Sequence, residues 1–140
     1  ALAEKVNRAG NTLLKLGIIP GDRVLMIVKD APDFYYIFWG AIKAGIIPVP
    51  LNTLLRKKDY AYMLLNSEAS CVVYSPEFSK EVEAALDETE HKLKVSLRTE
   101  GDGETFIQHL SKSSPDLEPY PSKPEDDCFW LYSSGSTGNP

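Results

Sequence analysis

The sequence predicts an α/β fold, a mostly parallel sheet flanked by helices. Two observations carry that prediction. Short, unbroken apolar runs such as RVLMIV (Arg23–Val28, apolar after its first residue) and CVVY (Cys71–Tyr74) suit strands buried on both faces of a parallel sheet. Between them lie longer stretches whose apolar residues return every three or four positions, as on amphipathic helices. Regular alternation of the two kinds is the pattern of a doubly wound sheet.

Taken in order, Leu2, Val6, Ala9, Leu13 and Leu16 mark one face of a first helix, stopped by Gly17 and turned by Pro20-Gly21. Arg23–Val28 follows as a buried strand. Asp30 is expected to cap the next helix, Asp33–Ala44, with Pro32 tolerated in its first turn. Its core stripe is Phe34, Ile37, Phe38, Ala41 and Ile42, and it ends at Gly45. Tyr35, Tyr36 and Trp39 occupy its other faces. A helix apolar nearly all round either lays amphipathic rings at a surface or meets a partner. Ile46–Leu51 is extended, and Pro48 and Pro50 place it at a sheet edge or loop margin. A helix over Lys57–Ser67 leads to strand Cys71–Tyr74, expected beside Arg23–Val28. Ser75-Pro76 then caps a helix turning Phe78, Val82, Ala85 and Leu86 inward. Leu93–Leu97 reads as a strand and Thr105–Leu110 as a short helix. Ser111–Asp127 is polar and holds Pro115, Pro119, Pro121 and Pro124, so it reads as an extended surface connection. No internal repeat is present.

With 140 residues, 43% hydrophobic and 25% charged, the chain has the size and composition of one ordinary globular domain. A net charge of −5 argues against a general nucleic-acid binder. It does not exclude a small anionic ligand, because converging backbone N–H groups bind phosphate on acidic proteins too. Cys71 and Cys128 are far apart in sequence and read as two reduced, buried thiols. No apolar run approaches the ~20 residues of a membrane span, and the N-terminus does not read as a signal peptide. A soluble, cytoplasmic protein is expected. His91 and His109 read as surface or capping residues, Glu81–Glu90 as the wet face of a helix, and Arg56, Lys57 and Lys58 as a helix-start surface.

The stretch richest in chemistry is YSSGSTGNP, Tyr132–Pro140, which follows the apolar run Cys128–Leu131, expected as a buried strand. It fits neither the Walker A pattern nor the dinucleotide fingerprint. Gly135 and Gly138 permit positive φ, and Ser133, Ser134, Ser136 and Thr137 add hydroxyl donors without bulk. These residues alone leave a phosphate loop and a plain flexible turn equally open.

The same stretch closely resembles the phosphate-binding signature of the adenylate-forming superfamily, [YFL]-[TS]-S-G-[ST]-T-G-x-P-K-G. That superfamily includes acyl-CoA synthetases, firefly luciferase and the adenylation domains of peptide synthetases. AIKAGIIPVPLN (Ala41–Asn52) and the run from Gly17 to Gly45 resemble further family segments in the expected order. The resemblance therefore spans essentially the whole chain. Within the superfamily, Pro48–Ser75, with its PLNTLL and DYAYML, is most similar to benzoate-CoA ligases and their aryl-CoA relatives.

The resemblance implies an ATP-dependent ligase that activates a carboxylic acid, aromatic in the benzoate case, as an acyl-adenylate and passes it to coenzyme A. It implies that Ser133, Ser134, Gly135, Ser136, Thr137 and Gly138 hold the ATP phosphates, with Thr137 near Mg²⁺. It assigns no catalytic residue to these positions, since the family's catalytic lysine and its adenine and acyl sites lie further along. On this view residues 1–140 are part of an N-terminal AMP-binding domain, 111–127 a connection and 132–140 a shortened phosphate loop. The piece alone is expected to be inactive and to self-associate through exposed aromatic surface. The alternatives are a fatty or other acyl-CoA synthetase, and a non-catalytic α/β module with a flexible tail.

Overall fold

The computed structural model describes residues 2–90 and 93–132. Helix α1 (Leu2–Lys15) leads into β1 (Arg23–Ile27), α2 (Pro32–Lys43), β2 (Ile47–Pro50), α3 (Lys57–Ser67) and β3 (Cys71–Tyr74). A 3-10 turn (Pro76–Phe78), α4 (Ser79–Glu88), β4 (Val95–Arg98) and α5 (Phe106–Ser111) follow. The strands form a four-stranded, fully parallel sheet in the order β2-β1-β3-β4. As expected, β1 and β3 are neighbours, with Val24 opposite Cys71 and Ile27 opposite Tyr74.

Side-chain alternation along β1 builds two cores. Val24, Met26 and Val28 join Cys71 and Val73 against Ala9, Leu13, Ile37, Ala41 and Phe106 of α1, α2 and α5. Leu25 and Ile27 join Val49, Val72 and Tyr74 against Tyr60, Met63, Leu64, Val82 and Ala85 of α3 and α4. Both faces of the central strands are covered, which is why their sequence runs apolar without a break. β4, at the other edge, leaves Ser96 exposed while Leu97 is buried.

β2 is the opposite edge, and its prolines fit that place. The N–H groups of Ile47 and Leu51 donate inward to the carbonyls of Asp22 and Met26 at 2.8 and 2.9 Å. Pro48 and Pro50 fall on the alternate, outward positions, where a missing N–H breaks no ladder bond.

Local details differ from the sequence reading in four places. Ala31, not Asp30, is the residue before α2, and no side chain caps that helix. The Asp30 carboxylate instead accepts the Tyr35 hydroxyl at 3.2 Å. Ser75 does not cap a helix with its hydroxyl either; that hydroxyl accepts the Lys29 N–H at 2.9 Å and joins the ends of β1 and β3. The ladder of β4 begins at Val95, two positions later than Leu93, because its register is set by Cys71 across the sheet. Cys71 is buried, but Cys128 is exposed.

The polar segment after α5 is extended and on the surface, yet strapped to the domain. Asn11 of α1 donates to the carbonyls of Ser114 and Asp116, both at 2.8 Å, and Asn7 donates to that of Pro115 at 2.9 Å. Arg8 donates to the Ser113 carbonyl, and the hydroxyls of Thr12 and Ser113 pair at 2.7 Å. Further on, the Tyr120 N–H donates to the Lys43 carbonyl at 2.8 Å. Its ring lies over Gly45, where an added Cβ would sit 2.6 Å from the ring; that residue also has φ of +81°. Gly45 thus stops α2 and seats an aromatic ring, and no other residue type does both.

Candidate functional site

Ser133, Ser134, Gly135, Ser136, Thr137 and Gly138, the positions expected to hold phosphate, lie outside the described residues, as does His91. What the structure does describe is the chain that leads into them.

Cys128–Tyr132 runs along the outer edge of β2 and is not the buried strand the apolar run suggests. Cys128, Phe129 and Leu131 are exposed, while Trp130 and Tyr132 are half-buried. Among the described residues, its one backbone bond to the sheet runs from the Trp130 N–H to the Pro48 carbonyl at 3.2 Å. The cause is chemical: the outward positions of β2 are prolines and offer carbonyls but no donors, so a full ladder cannot form.

Side chains hold the segment instead. The Trp130 indole N–H donates to Asp127 at 3.0 Å, and the Arg23 guanidinium lies 5.4 Å from the centre of its ring. Arg23 is fixed in turn by the carbonyls of Ser67, Gly21 and Glu68 at 2.9, 3.0 and 3.3 Å. Tyr132 packs against the α3–α4 core, and its hydroxyl donates to Asn66 at 2.6 Å. Burial, then the neighbouring Tyr62, pushes the Tyr132 phenol above its ordinary pKa, so it remains a neutral donor near pH 7. Sequence reasoning missed this anchoring set. The only signal for it was aromatic content just ahead of a Gly/Ser/Thr stretch.

A second place of interest follows from topology. In a doubly wound sheet, ligands bind outside the carboxyl ends of strands whose connections leave on opposite faces. Here that is the β1/β3 junction, since α2 packs on one face and α4 on the other. Charged side chains pair with one another at this junction. Lys29 pairs with Glu77 at 2.6 Å and reaches Glu100 at 3.8 Å. The Glu77 bond holds the ammonium above its ordinary pKa, and Lys29 holds the Glu77 carboxyl below its own. Asp33 nearby is pushed up by burial and by Glu100.

The remaining charged candidates have structural partners. Asp59 accepts the Arg56 N–H at 3.1 Å, Glu81 accepts the Lys57 N–H at 2.8 Å, and Lys57 pairs with Glu88 at 2.6 Å. The basic trio therefore starts α3, as its position suggested. The acidic run is more than a wet face, since Glu83 also accepts the Tyr74 hydroxyl at 2.7 Å. His109 bonds Glu104 at 2.6 Å on the surface. Among the described residues, no cluster of His, Cys, Asp and Glu is fit to hold a metal, and no helix is long and apolar enough to cross a membrane.

Comparison with known proteins adds what this geometry leaves open. Residues 1–140 match the family described as AMP-binding enzyme. A benzoate–CoA ligase of Thauera aromatica is 44% identical over 99% of this chain and 27% of its own length. A 4-hydroxybenzoate–CoA/benzoate–CoA ligase of Rhodopseudomonas palustris is 35% identical over 99% of the chain and 26% of its own. Among solved structures, a benzoate CoA ligase from Burkholderia xenovorans LB400 superimposes with a TM-score of 0.86 at 30% identity. That match covers 94% of this chain and 26% of that one. The chain spans about a quarter of the length of the relatives it matches.

Proposed function

The chain belongs to the AMP-binding enzyme family, and from that premise we propose that it is part of a longer, AMP-forming acid–thiol ligase acting on benzoate or a close aromatic acid. The observation that carries this reading is the 44% identity to a benzoate–CoA ligase across nearly the whole chain. In the first step the acid's carboxylate attacks the α-phosphate of ATP, forming an acyl-adenylate and releasing pyrophosphate. In the second, the thiol of coenzyme A attacks the mixed anhydride, giving the thioester and AMP.

Residues 1–140 contribute part of the N-terminal domain, with 111–127 as a connection and 132–140 as the start of the phosphate loop. Ser133, Ser134, Gly135, Ser136, Thr137 and Gly138 suit polyphosphate by composition: neutral donors that approach closely without bulk. Mg²⁺ retains several waters and is held through substrate phosphates and one or two carboxylates, so the Thr137 hydroxyl would be one contact among several, with the carboxylate supplied from outside residues 1–140. Trp130, Tyr132, Arg23 and Asn66 would fix the angle at which this loop leaves the sheet edge. The protein is read as cytoplasmic, where ATP and coenzyme A are at hand. Separated from the rest, residues 1–140 would be inactive and prone to self-associate through Tyr35 and Trp39.

The test is made in the full-length protein with separate assays of pyrophosphate exchange and thioester formation. Thr137→Ala should slow exchange by roughly 10²-fold or more, as loss of one charge-stabilising donor does. Transfer from preformed acyl-adenylate to coenzyme A should be nearly unchanged. Equal loss in both steps, or none, refutes the assignment. A panel of aromatic and aliphatic acids decides the substrate, and preference for long aliphatic acids would favour the fatty-acyl alternative.

A further inference from the structure

The C-terminal turn of α3 holds both side chains that seat the segment ahead of the Gly/Ser/Thr stretch. Trp130 and Tyr132 are two apart in extended chain, so their side chains fall on the same side. Both pack against the α3–α4 core, as does Tyr62 of α3. Tyr132 meets the helix directly: its hydroxyl donates to the Asn66 amide oxygen at 2.6 Å, one turn beyond Tyr62 on the same helix face. Trp130 meets it through Arg23, whose guanidinium lies 5.4 Å from the ring centre.

The turn itself is tightly held. Ser67 is buried, and the carbonyls of Ser67 and Glu68 accept from Arg23 at 2.9 and 3.3 Å. A cation on the last carbonyls of a helix also meets the negative end of its dipole. Glu68 closes α3 with φ of +53°, the one positive φ at a non-glycine position among the described residues. A side chain keeps that conformation only where its surroundings impose it. At the far end of α3, the Tyr60 hydroxyl donates to the Asn52 carbonyl at 2.7 Å, and Asp59 accepts the Arg56 N–H.

Resting on the reading of Ser133–Gly138 as the phosphate loop, we propose that the C-terminal turn of α3 is the platform that aims this loop, with Asn66 a positioning residue acting through the Tyr132 hydroxyl. Ser133, the first loop residue, is bonded to Tyr132, so no chain lies between anchor and loop to absorb a shift. Backbone pairing does not supply the aim, since among the described residues the segment makes one such bond to the sheet, from Trp130. Donors that act on the charge developing on leaving pyrophosphate must be held in place beforehand. A misplacement of about 1 Å can cost on the order of 10²-fold in rate. The Asn66–Tyr132 bond lies at the surface, where its loss leaves no buried group unpaired and hardly touches folding. Its effect is therefore on the loop.

The test is made in the full-length protein with Tyr132→Phe, Asn66→Ala and Asn66→Asp, reading pyrophosphate exchange, thioester transfer from preformed acyl-adenylate, and the urea midpoint. The first two variants remove the bond from either side, and the third keeps an acceptor in the same place. Tyr132→Phe and Asn66→Ala should each slow exchange roughly tenfold, part of the full misplacement loss because the Trp130 anchor remains. The double variant should be no slower than the worse single, since both remove one bond. Asn66→Asp should bring exchange back to within about twofold of the parent, because a carboxylate accepts the same hydroxyl. Transfer to coenzyme A and the urea midpoint should stay nearly unchanged throughout. Equal loss in both steps, loss that follows a lowered midpoint, or no rescue by Asn66→Asp overturns the proposal. Parent-level exchange in Tyr132→Phe beside slowed exchange in Thr137→Ala overturns it too, and leaves the ligase reading standing. Absence of exchange in the unaltered protein with every acid tried refutes the ligase reading and the platform with it.

Discussion

Replacing Gly40 by alanine should destabilise this domain, against the usual preference of helices for alanine. In an open helix the change would stabilise by about 1 kcal/mol. Here α1 and α2 touch backbone to backbone. A Cβ on Gly40 would lie 2.7 Å from the Gly10 nitrogen, 2.7 Å from the Val6 carbonyl oxygen and 2.9 Å from the Ala9 Cβ. Two of those three atoms are helix backbone and cannot rotate aside. The helices must therefore part, loosening Ala9, Leu13, Ile37 and Ala41, which pack between them and the sheet. Overpacking of this kind costs about 1–3 kcal/mol, and unyielding neighbours put it near the upper end. Subtracting the propensity gain leaves a loss of about 2 kcal/mol, or roughly 6–8 °C in Tm for a domain of this size. Gly10→Ala should behave alike, since its Cβ would meet the Gly40 carbonyl oxygen at 2.7 Å. One separation relieves both clashes, so the double variant should lose less than the sum of the singles. Urea titration of the three variants and the parent sequence measures this. An unchanged or raised midpoint for Gly40→Ala would refute the close-packing argument.

Asp22 accepts the Ile19 N–H and the Lys94 ammonium, both at 3.0 Å. Burial alone would raise its pKa, but these two partners outweigh it and hold the carboxyl below its ordinary value of 3.8. The unfolded chain then binds the proton more tightly, so this stability is present above pH 3.8 and is lost as pH falls through the folded value. Asp22→Asn should cost about 1 kcal/mol at pH 7, with the gap closing in acid; a pH-independent gap in urea midpoints would contradict it. The cysteines should separate cleanly under maleimide labelling: exposed Cys128 reacts in the native protein, and Cys71 only on unfolding. Burial pushes the Cys71 thiol far above its ordinary pKa, so two equally fast thiols would refute the placement of β3.

The parts legible in the sequence were those where one physical cause acts alone. Cys71–Tyr74 and Lys57–Ser67 match their expected bounds because burial on two faces and helical periodicity leave clear traces in residue order. Gly17 and Gly45 stop helices with φ of +96° and +81°, as their positions implied. Competing causes hid the rest. Ser75 looks like a helix cap, but the Lys29 N–H across the sheet claims its hydroxyl. Ser111–Asp127 has the composition of a loose connection, yet Asn7 and Asn11 lie about one turn apart on α1 and strap it down. Such a strap joins positions about a hundred residues apart, and periodicity carries no information over that distance.

Cys128–Leu131 shows most clearly how sequence and neighbourhood divide the work. Its apolar run is what a buried strand requires, and the inference failed only because β2 alongside it is built from Ile47-Pro48-Val49-Pro50. The two prolines end the ladder on that side by withholding donors, at no cost to the pairing of β2 with β1. The segment is therefore fixed through Trp130 on Arg23 and Tyr132 on Asn66, and among the described residues nothing pairs with its other edge. An apolar strand sequence in an exposed place is a local rule broken, and such conflicts concentrate where a chain serves something beyond its own fold. Here the conflict lies immediately before the Gly/Ser/Thr stretch and beside the aromatic face of α2. On the proposed reading, these residues would set where the phosphate loop leaves the sheet edge.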